Sequence, residues 1–218
     1  MSIDATILIV VAVEAEKDAI LRGLNREQDN VDVLVAGVGI ASSAAKTSQK
    51  LAERSYSHVV SAGIAGGFIE RAPVGSVVVS SEIIQADFGA DSEEGFLPIE
   101  ELGFGSSIIL VQAETQDRLV QALEERKVTV TSGQILTLST VTGTQYATDQ
   151  LNKRYPLAVA EAMEGFGVAT AASLYNIPVL EVRTISNPIG PRDREAWKIK
   201  DALDQLEIVS KTIVEVLR

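Results

Sequence analysis

The 218-residue chain has no cysteine, so a disulfide framework, a thiolate nucleophile and a Cys-based zinc site are all excluded. Its single histidine, His58, begins an apolar run. A lone histidine where a strand begins is ordinarily structural, so a Ser-His-Asp relay is not expected, and one imidazole makes no His-rich metal centre. Cations are scarce, 19 Lys and Arg against 30 Asp and Glu, for a formal net charge of −11. Binding to a phosphate backbone runs on Lys and Arg, so no nucleic-acid partner is expected. No apolar run approaches the ~18 residues needed to span a bilayer, and the first residues carry neither a basic segment nor a small-residue cleavage site. The expectation is a soluble cytoplasmic protein with no membrane association and a small molecule as partner. Its chemistry must rest on carboxylates, arginine and amides.

There is also no composition break, Pro/Gly/Ser linker or low-complexity tract, which predicts one domain over residues 1–218. Runs rich in Val, Ile and Thr at 6–13, 31–38, 58–65, 75–84, 128–139, 157–163 and 177–185 read as strands. They are mostly too continuous in hydrophobicity for a sheet with one wet face. Helix-period segments alternate with them at 14–24, 40–54, 115–126, 144–154 and 165–175. A last helix carries Ile199, Ala202, Leu206, Val209, Ile213 and Leu217 at three- and four-residue spacing. The alternation predicts an α/β fold, a three-layer αβα sandwich around a mixed, mostly parallel sheet. Residues 86–105 and 187–194 fit no element, and long irregular segments and strand ends are where sites gather.

Of the glycine clusters, "AGVGIAS" has half a dinucleotide fingerprint, but its third glycine position is Ser42 and no ribose-binding acid follows, so a nicotinamide cofactor is not expected. "SAGIAGGF" sets Gly63, Gly66 and Gly67 after a strand, either as a tight turn or to let backbone approach a ligand. Glu14 and Glu16 open the first helix, where an acid also suits the helix dipole. "EAMEGFGVATA" places Glu161 and Glu164 at a strand end, where capping the next helix is the ordinary role for Glu164. Asn187 is held extended by Pro188, and a surface turn would explain the Asn-Pro pair equally well. Arg183 interrupts an apolar strand, and a buried guanidinium needs a partner.

Four separated motifs, "VAVEAEKDAI", "SAGIAGGF…VGSVVVSSE", "AEAMEGFGVA" and "VLEVRTISN", resemble in order those of the nucleoside phosphorylase and hydrolase superfamily, in its methylthioadenosine/S-adenosylhomocysteine nucleosidase branch. Within that branch "SNPIGPRDREAW" is similar to the ending of the futalosine hydrolase family, which acts in the alternative menaquinone pathway. The resemblance implies cleavage of a purine from a 5′-modified ribose by a homo-oligomer, with no metal or organic cofactor. It puts the water-activating carboxylate on Glu16, the ribose-holding carboxylate on Glu164 after the sugar-packing Met163, and the arginine near the attacking water on Arg183. Base-recognising backbone falls near Val141 and Thr142, and Gly66 belongs to the binding backbone. Where the nucleosidases have a polar residue this chain has Ile64, and where they have an aspartate it has Asn187.

Asn187 fits a 6-oxopurine: its NH2 donates to O6 while its carbonyl accepts from N7–H as the base departs, and the proton then comes from water. Arg192 or Arg194 could pair with the benzoate at futalosine's far end, or both could be part of a solvated helix start. A methylthioadenosine-type nucleosidase, a purine nucleoside phosphorylase and a non-catalytic nucleoside-binding protein are the competing readings.

Overall fold

The computed structural model describes residues 6–25 and 30–218; residues 1–5, part of the stretch read above for a leader, lie outside the described residues. β1 (Ile7–Val11) is buried at every position and lies between parallel neighbours. After it come α1 (Glu14–Gly23), β2 (Val31–Val35), α2 (Ile40–Glu53), β3 (His58–Gly67) and β4 (Val77–Gln85). The ribbon β5 (Gly89–Ala90) and β6 (Leu97–Pro98) precedes β7 (Ile108–Leu110), α3 (Ala113–Glu125), β8 (Val130–Thr137) and α4 (Gln145–Arg154). The chain ends with β9 (Ala158–Ala162), α5 (Gly165–Leu174), β10 (Val179–Pro188), a 3-10 turn at Arg194–Ala196 and α6 (Ile199–Leu217).

The main sheet runs β2-β1-β3-β9-β8-β4-β10, and β10 pairs back onto β3. Parallel pairings dominate, with β10–β4, β3–β9 and β4–β7 antiparallel. The expected three layers are present, but five strands of the middle layer curl into a closed, barrel-like part. Small inward side chains such as Ala65, Ala160 and Ala162, with Val78 and Ile185, fill a distinct cluster on these strands. On one face α1, α3 and α6 bury Ile20, Leu119, Leu123, Leu206 and Ile213 against β1 and β10; on the other, α2 and α5 bury Leu51, Val168 and Ala172.

β3 is the branch point. Its first half lies between β1 and β10, and at Gly66 and Gly67 β9 replaces β1. Two expectations change. Residues 86–105 hold the β5–β6 ribbon, and β7, too short to signal itself, follows it. The strand expected to stop at residue 185 continues to Pro188, with a register shift between Ile185 and Asn187. A bulge of this kind re-aims the residues after it, and proline is tolerated at the strand end because no ladder donor is required there.

Candidate active site

The C-terminal ends of β1, β3, β9 and β10 surround a cavity of about 390 Å3. A larger groove of about 680 Å3 lies beside β2. Its central acid, Asp32, is already paired with Lys50 at 3.3 Å and Arg54 at 3.4 Å and bonded to Tyr56.

Glu16, third residue of α1, turns back over the helix start. Its Oε2 accepts from the amides of Ala12 at 2.9 Å and Val13 at 3.2 Å, and its Oε1 accepts from Ile64 N at 2.9 Å. This satisfies donors that a helix N-terminus leaves free. A carboxylate has about four acceptor sites. Three are used here, and Glu16 is 3% exposed while lining the cavity. One acceptor site is left, suited to a single water. Gly63 makes this possible, since a Cβ there would fall inside the contact shell of Glu16 Oε1 and 2.9 Å from Arg183 Nη1.

Arg183 is 1% exposed and stands behind the cavity wall. Its Nε donates to Glu181 Oε1 at 2.8 Å; its Nη2 donates to Ser61 Oγ at 3.2 Å and Glu164 Oε2 at 3.4 Å. Burial would lower the guanidinium's pKa, but the carboxylates of Glu181, Glu164 and Glu16 outweigh it and hold it above its ordinary value. Burial pushes the Glu181 carboxyl up, against the pull of Arg183. One guanidinium among three carboxylates leaves the wall net negative whenever two or more are ionised. That favours a cationic sugar and disfavours phosphate.

Glu164 sits at the start of α5 without capping it through its side chain. Its carboxylate accepts instead from Gly39 N and Met163 N, each at 3.3 Å, and from Arg183. The sequence therefore brings Glu164 into the cavity wall, while Glu14 remains exposed as an ordinary first-turn acid.

At the other end, Gly66 pairs with Glu161 of β9 on one side and Asn187 of β10 on the other. Asn187 Nδ2 donates to Pro188 O at 2.8 Å, and Oδ1 accepts from Ser186 Oγ at 2.8 Å. The Pro188 carbonyl fixes the amide's orientation, leaving one N–H and one oxygen lone pair for a ligand. Thr142 N donates to Glu161 Oε1 at 2.7 Å, and the Thr142 hydroxyl bonds Oε2. Gly190 N donates to Thr142 O at 3.4 Å, so the 141–143 and 188–192 loops are tied together.

Of the residues picked from the sequence, Glu16, Met163, Glu164, Val141, Thr142, Gly66, Asn187 and Arg192 line this cavity. Arg183 lies behind it rather than on it. Arg194 is exposed and outside the lining; Arg192 lays its stem on Gly143 and its guanidinium 5.4 Å from the Trp197 ring centroid. The irregular segment 86–105 contributes nothing to the lining. Sequence reasoning gave Glu161 no role and missed Glu181. Glu181 had a readable signal: it lies two residues before Arg183 in an apolar strand, hence on the same face.

The phosphorylase superfamily model matches residues 15–218. A futalosine hydrolase from Streptomyces coelicolor is 47% identical over 219 residues, covering 92% of this chain and 91% of that protein. One from Acidothermus cellulolyticus is 44% identical over 212 residues, covering 92% and 86%. A 5′-methylthioadenosine/S-adenosylhomocysteine nucleosidase from Desulfotalea psychrophila is 26% identical over 190 residues, covering 86% and 77%. Among solved structures, futalosine hydrolase of Helicobacter pylori superposes with TM-score 0.84 at 17% identity, covering 97% of each chain. A nucleosidase variant from Helicobacter pylori with 5′-methylthioadenosine bound gives 0.86 at 17%, covering 98% of this chain and 99% of that one; these two matches bear on the fold. With the family model spanning nearly all of α1 to α6, and relatives above 40% identity along the same length, the chain belongs to the phosphorylase superfamily, in its futalosine hydrolase group.

Proposed function

We propose that this protein hydrolyses the N-glycosidic bond of futalosine, releasing hypoxanthine and dehypoxanthine futalosine. The observation that carries the reading is Glu16, fixed by three backbone donors with one acceptor site left at the cavity. Similarity to the Streptomyces coelicolor enzyme supplies the substrate.

In this mechanism the C1′–N9 bond lengthens and its electron pair moves into the base, leaving oxocarbenium character on the ribose, as in glycoside cleavage. Glu164 holds the ribose hydroxyls, with Met163 against the sugar. Arg183 keeps Glu164 in place, and the two remaining carboxylates favour the cation. Water on Glu16 attacks C1′ and gives its proton to the carboxylate, an assistance worth roughly 10²–10⁴-fold. Asn187 donates to O6 and accepts from N7–H, with the N7 proton delivered by water. Arg192, the one of the two candidate arginines on the lining, pairs with the benzoate. Asn187 disfavours methylthioadenosine, whose 6-amino group would meet an amide donor.

The same reading makes the protein a cytoplasmic homo-oligomer in menaquinone biosynthesis. Exposed apolar side chains at the mouth, Val13, Val38, Val141 and Ile199, support association at that surface. Reaction of futalosine in ¹⁸O-labelled water tests the chemistry: the label should enter the ribose at C1′, at a rate indifferent to phosphate. A phosphate requirement with a sugar 1-phosphate product would make the protein a phosphorylase instead.

A further inference from the structure

Glu181 is the buried acid that the mechanism above leaves without a task. It stands on β10 two residues before Arg183, is 0% exposed, and is not on the cavity lining. Its Oε1 takes the 2.8 Å bond from Arg183 Nε, whereas Glu164, which does reach the cavity, receives the longer 3.4 Å contact from Nη2. The tightest partner of the arginine is therefore an acid that meets no substrate. Stability does not account for it, because a buried ion pair is costly to desolvate and neutral side chains of similar volume often pack as well or better.

The fold makes room for this acid. Gly165 opens α5 directly after Glu164, and a Cβ there would collide with both carboxylate oxygens of Glu181. Glu181 Oε2 is buried without a hydrogen-bond partner among the described residues, and it lies against this first turn of α5, where the helix dipole favours an anion. On the cavity side, Arg183 Nη1 and Glu16 Oε1 both border the space that a Cβ on Gly63 would take. The guanidinium thus stands among three carboxylates, those of Glu181, Glu164 and Glu16. Two of them line the cavity, and Glu181 does not.

We propose that Glu181 cancels the charge of Arg183 from behind the wall, so that Glu16 and Glu164 face the ribose as an uncompensated anionic pair. This rests on the proposed function and deepens it. Arg183 then works as a fork that holds Glu164, while its positive charge is taken up by a residue outside the cavity. Without Glu181 the guanidinium would offset one of the two cavity anions, which weakens both the hold on an oxocarbenium ion and the exclusion of phosphate. Glu181 acts through Arg183 and is a positioning residue, one whose charge matters as much as its shape.

The test compares wild type, Glu181→Gln and Glu181→Asp in kcat and KM on futalosine and inosine, in the pH profile of kcat/KM, and in affinity for inorganic phosphate and sulfate, read by inhibition and by thermal shift. Gln keeps an acceptor for Arg183 Nε and removes the charge; Asp keeps the charge and shortens the reach. Glu181→Gln should lower kcat roughly tenfold with KM within a few fold, the scale of one unit charge several ångströms away at an effective dielectric constant of about 20. Both anions should bind it at least about fivefold more tightly, on the same charge argument. The acid limb of its profile should move to lower pH, because Glu16 and Glu164 lose a neighbouring anion. Glu181→Asp should stay within a few fold of wild type in kcat and in exclusion of both anions. A Glu181→Gln variant with wild-type anion affinity and an unmoved acid limb overturns the proposal, whatever happens to kcat. If that variant does not fold, Glu181→Asp decides alone: a loss of kcat beyond about tenfold with the charge retained assigns Glu181 a role of shape only. Thermal shift needs no turnover, so a gain in anion affinity without futalosine cleavage by wild type would sink the substrate reading and leave the role of Glu181 standing. Futalosine cleavage with unchanged anion affinity in Glu181→Gln sinks that role alone.

Discussion

The amide of Ile64 donates to Glu16 Oε1 at 2.9 Å, although the Ile64 side chain has no polar atom. The backbone of β3 thus orients the carboxylate, whatever residue stands at 64. Replacing Glu16 by Gln keeps the shape but turns one oxygen into an NH2 facing backbone donors. Turnover should fall at least ~10²-fold, with substrate affinity within a few fold. Single-turnover kinetics with a binding titration checks this; retention of more than about a tenth of the rate would remove Glu16 from the base role.

Gly63 should be almost as sensitive, for a different reason. A methyl group there collides with Glu16 Oε1 and crowds Arg183 Nη1. Gly63→Ala should lower kcat by tenfold or more, and overpacking of this kind costs about 1–3 kcal/mol of stability. Steady-state kinetics alongside thermal unfolding separates the two effects. An active variant would mean that Glu16 tolerates displacement.

Much of this was readable beforehand. The seven major strands and six helices follow from apolar periodicity, because strands covered on both faces leave unbroken Val/Ile runs. Glu16, Glu164 and Asn187 stood out through the resemblance of their motifs, and the structure brings all three to one cavity. What was not legible depends on pairing between distant strands. Nothing local says that β10 returns to β3 and closes a barrel, and that closure alone sets Glu161 opposite Asn187 across Gly66. Arg183 was legible as a buried charge needing a partner, yet its position behind the wall comes from Glu181 and Ser61, residues of two different strands. The end of β10 was misjudged because a bulge carries the strand through an Asn-Pro pair that reads as a turn.

Glu161 also makes a prediction about stability. Its folded-state pKa is raised, chiefly by burial. The folded protein therefore holds that proton more tightly than the unfolded chain, and the group lowers stability as pH rises from the unfolded pKa through the folded one. Glu161→Gln should melt above wild type at pH 7, and the gap should close toward pH 4. Parallel pH–Tm curves would show that Glu161 is not strained by its site.

Asn187→Asp reverses the donor and acceptor match. A carboxylate oxygen would face both the Pro188 carbonyl, now bonded to Nδ2, and O6 of the base. Loss on 6-oxopurines should be about 1–3 kcal/mol, roughly five- to more than a hundredfold, with a relative gain on 6-aminopurines. Acid pH should partly restore hypoxanthine release, because a protonated Asp can donate. Unchanged preference at neutral pH would leave Asn187 as a turn residue.

The central claim is hydrolytic release of a 6-oxopurine, and kcat/KM for futalosine, inosine and methylthioadenosine with and without phosphate tests it most directly. The account predicts that futalosine is the best substrate, that hypoxanthine is its product, and that phosphate changes none of the rates. Faster release of adenine from methylthioadenosine would contradict it.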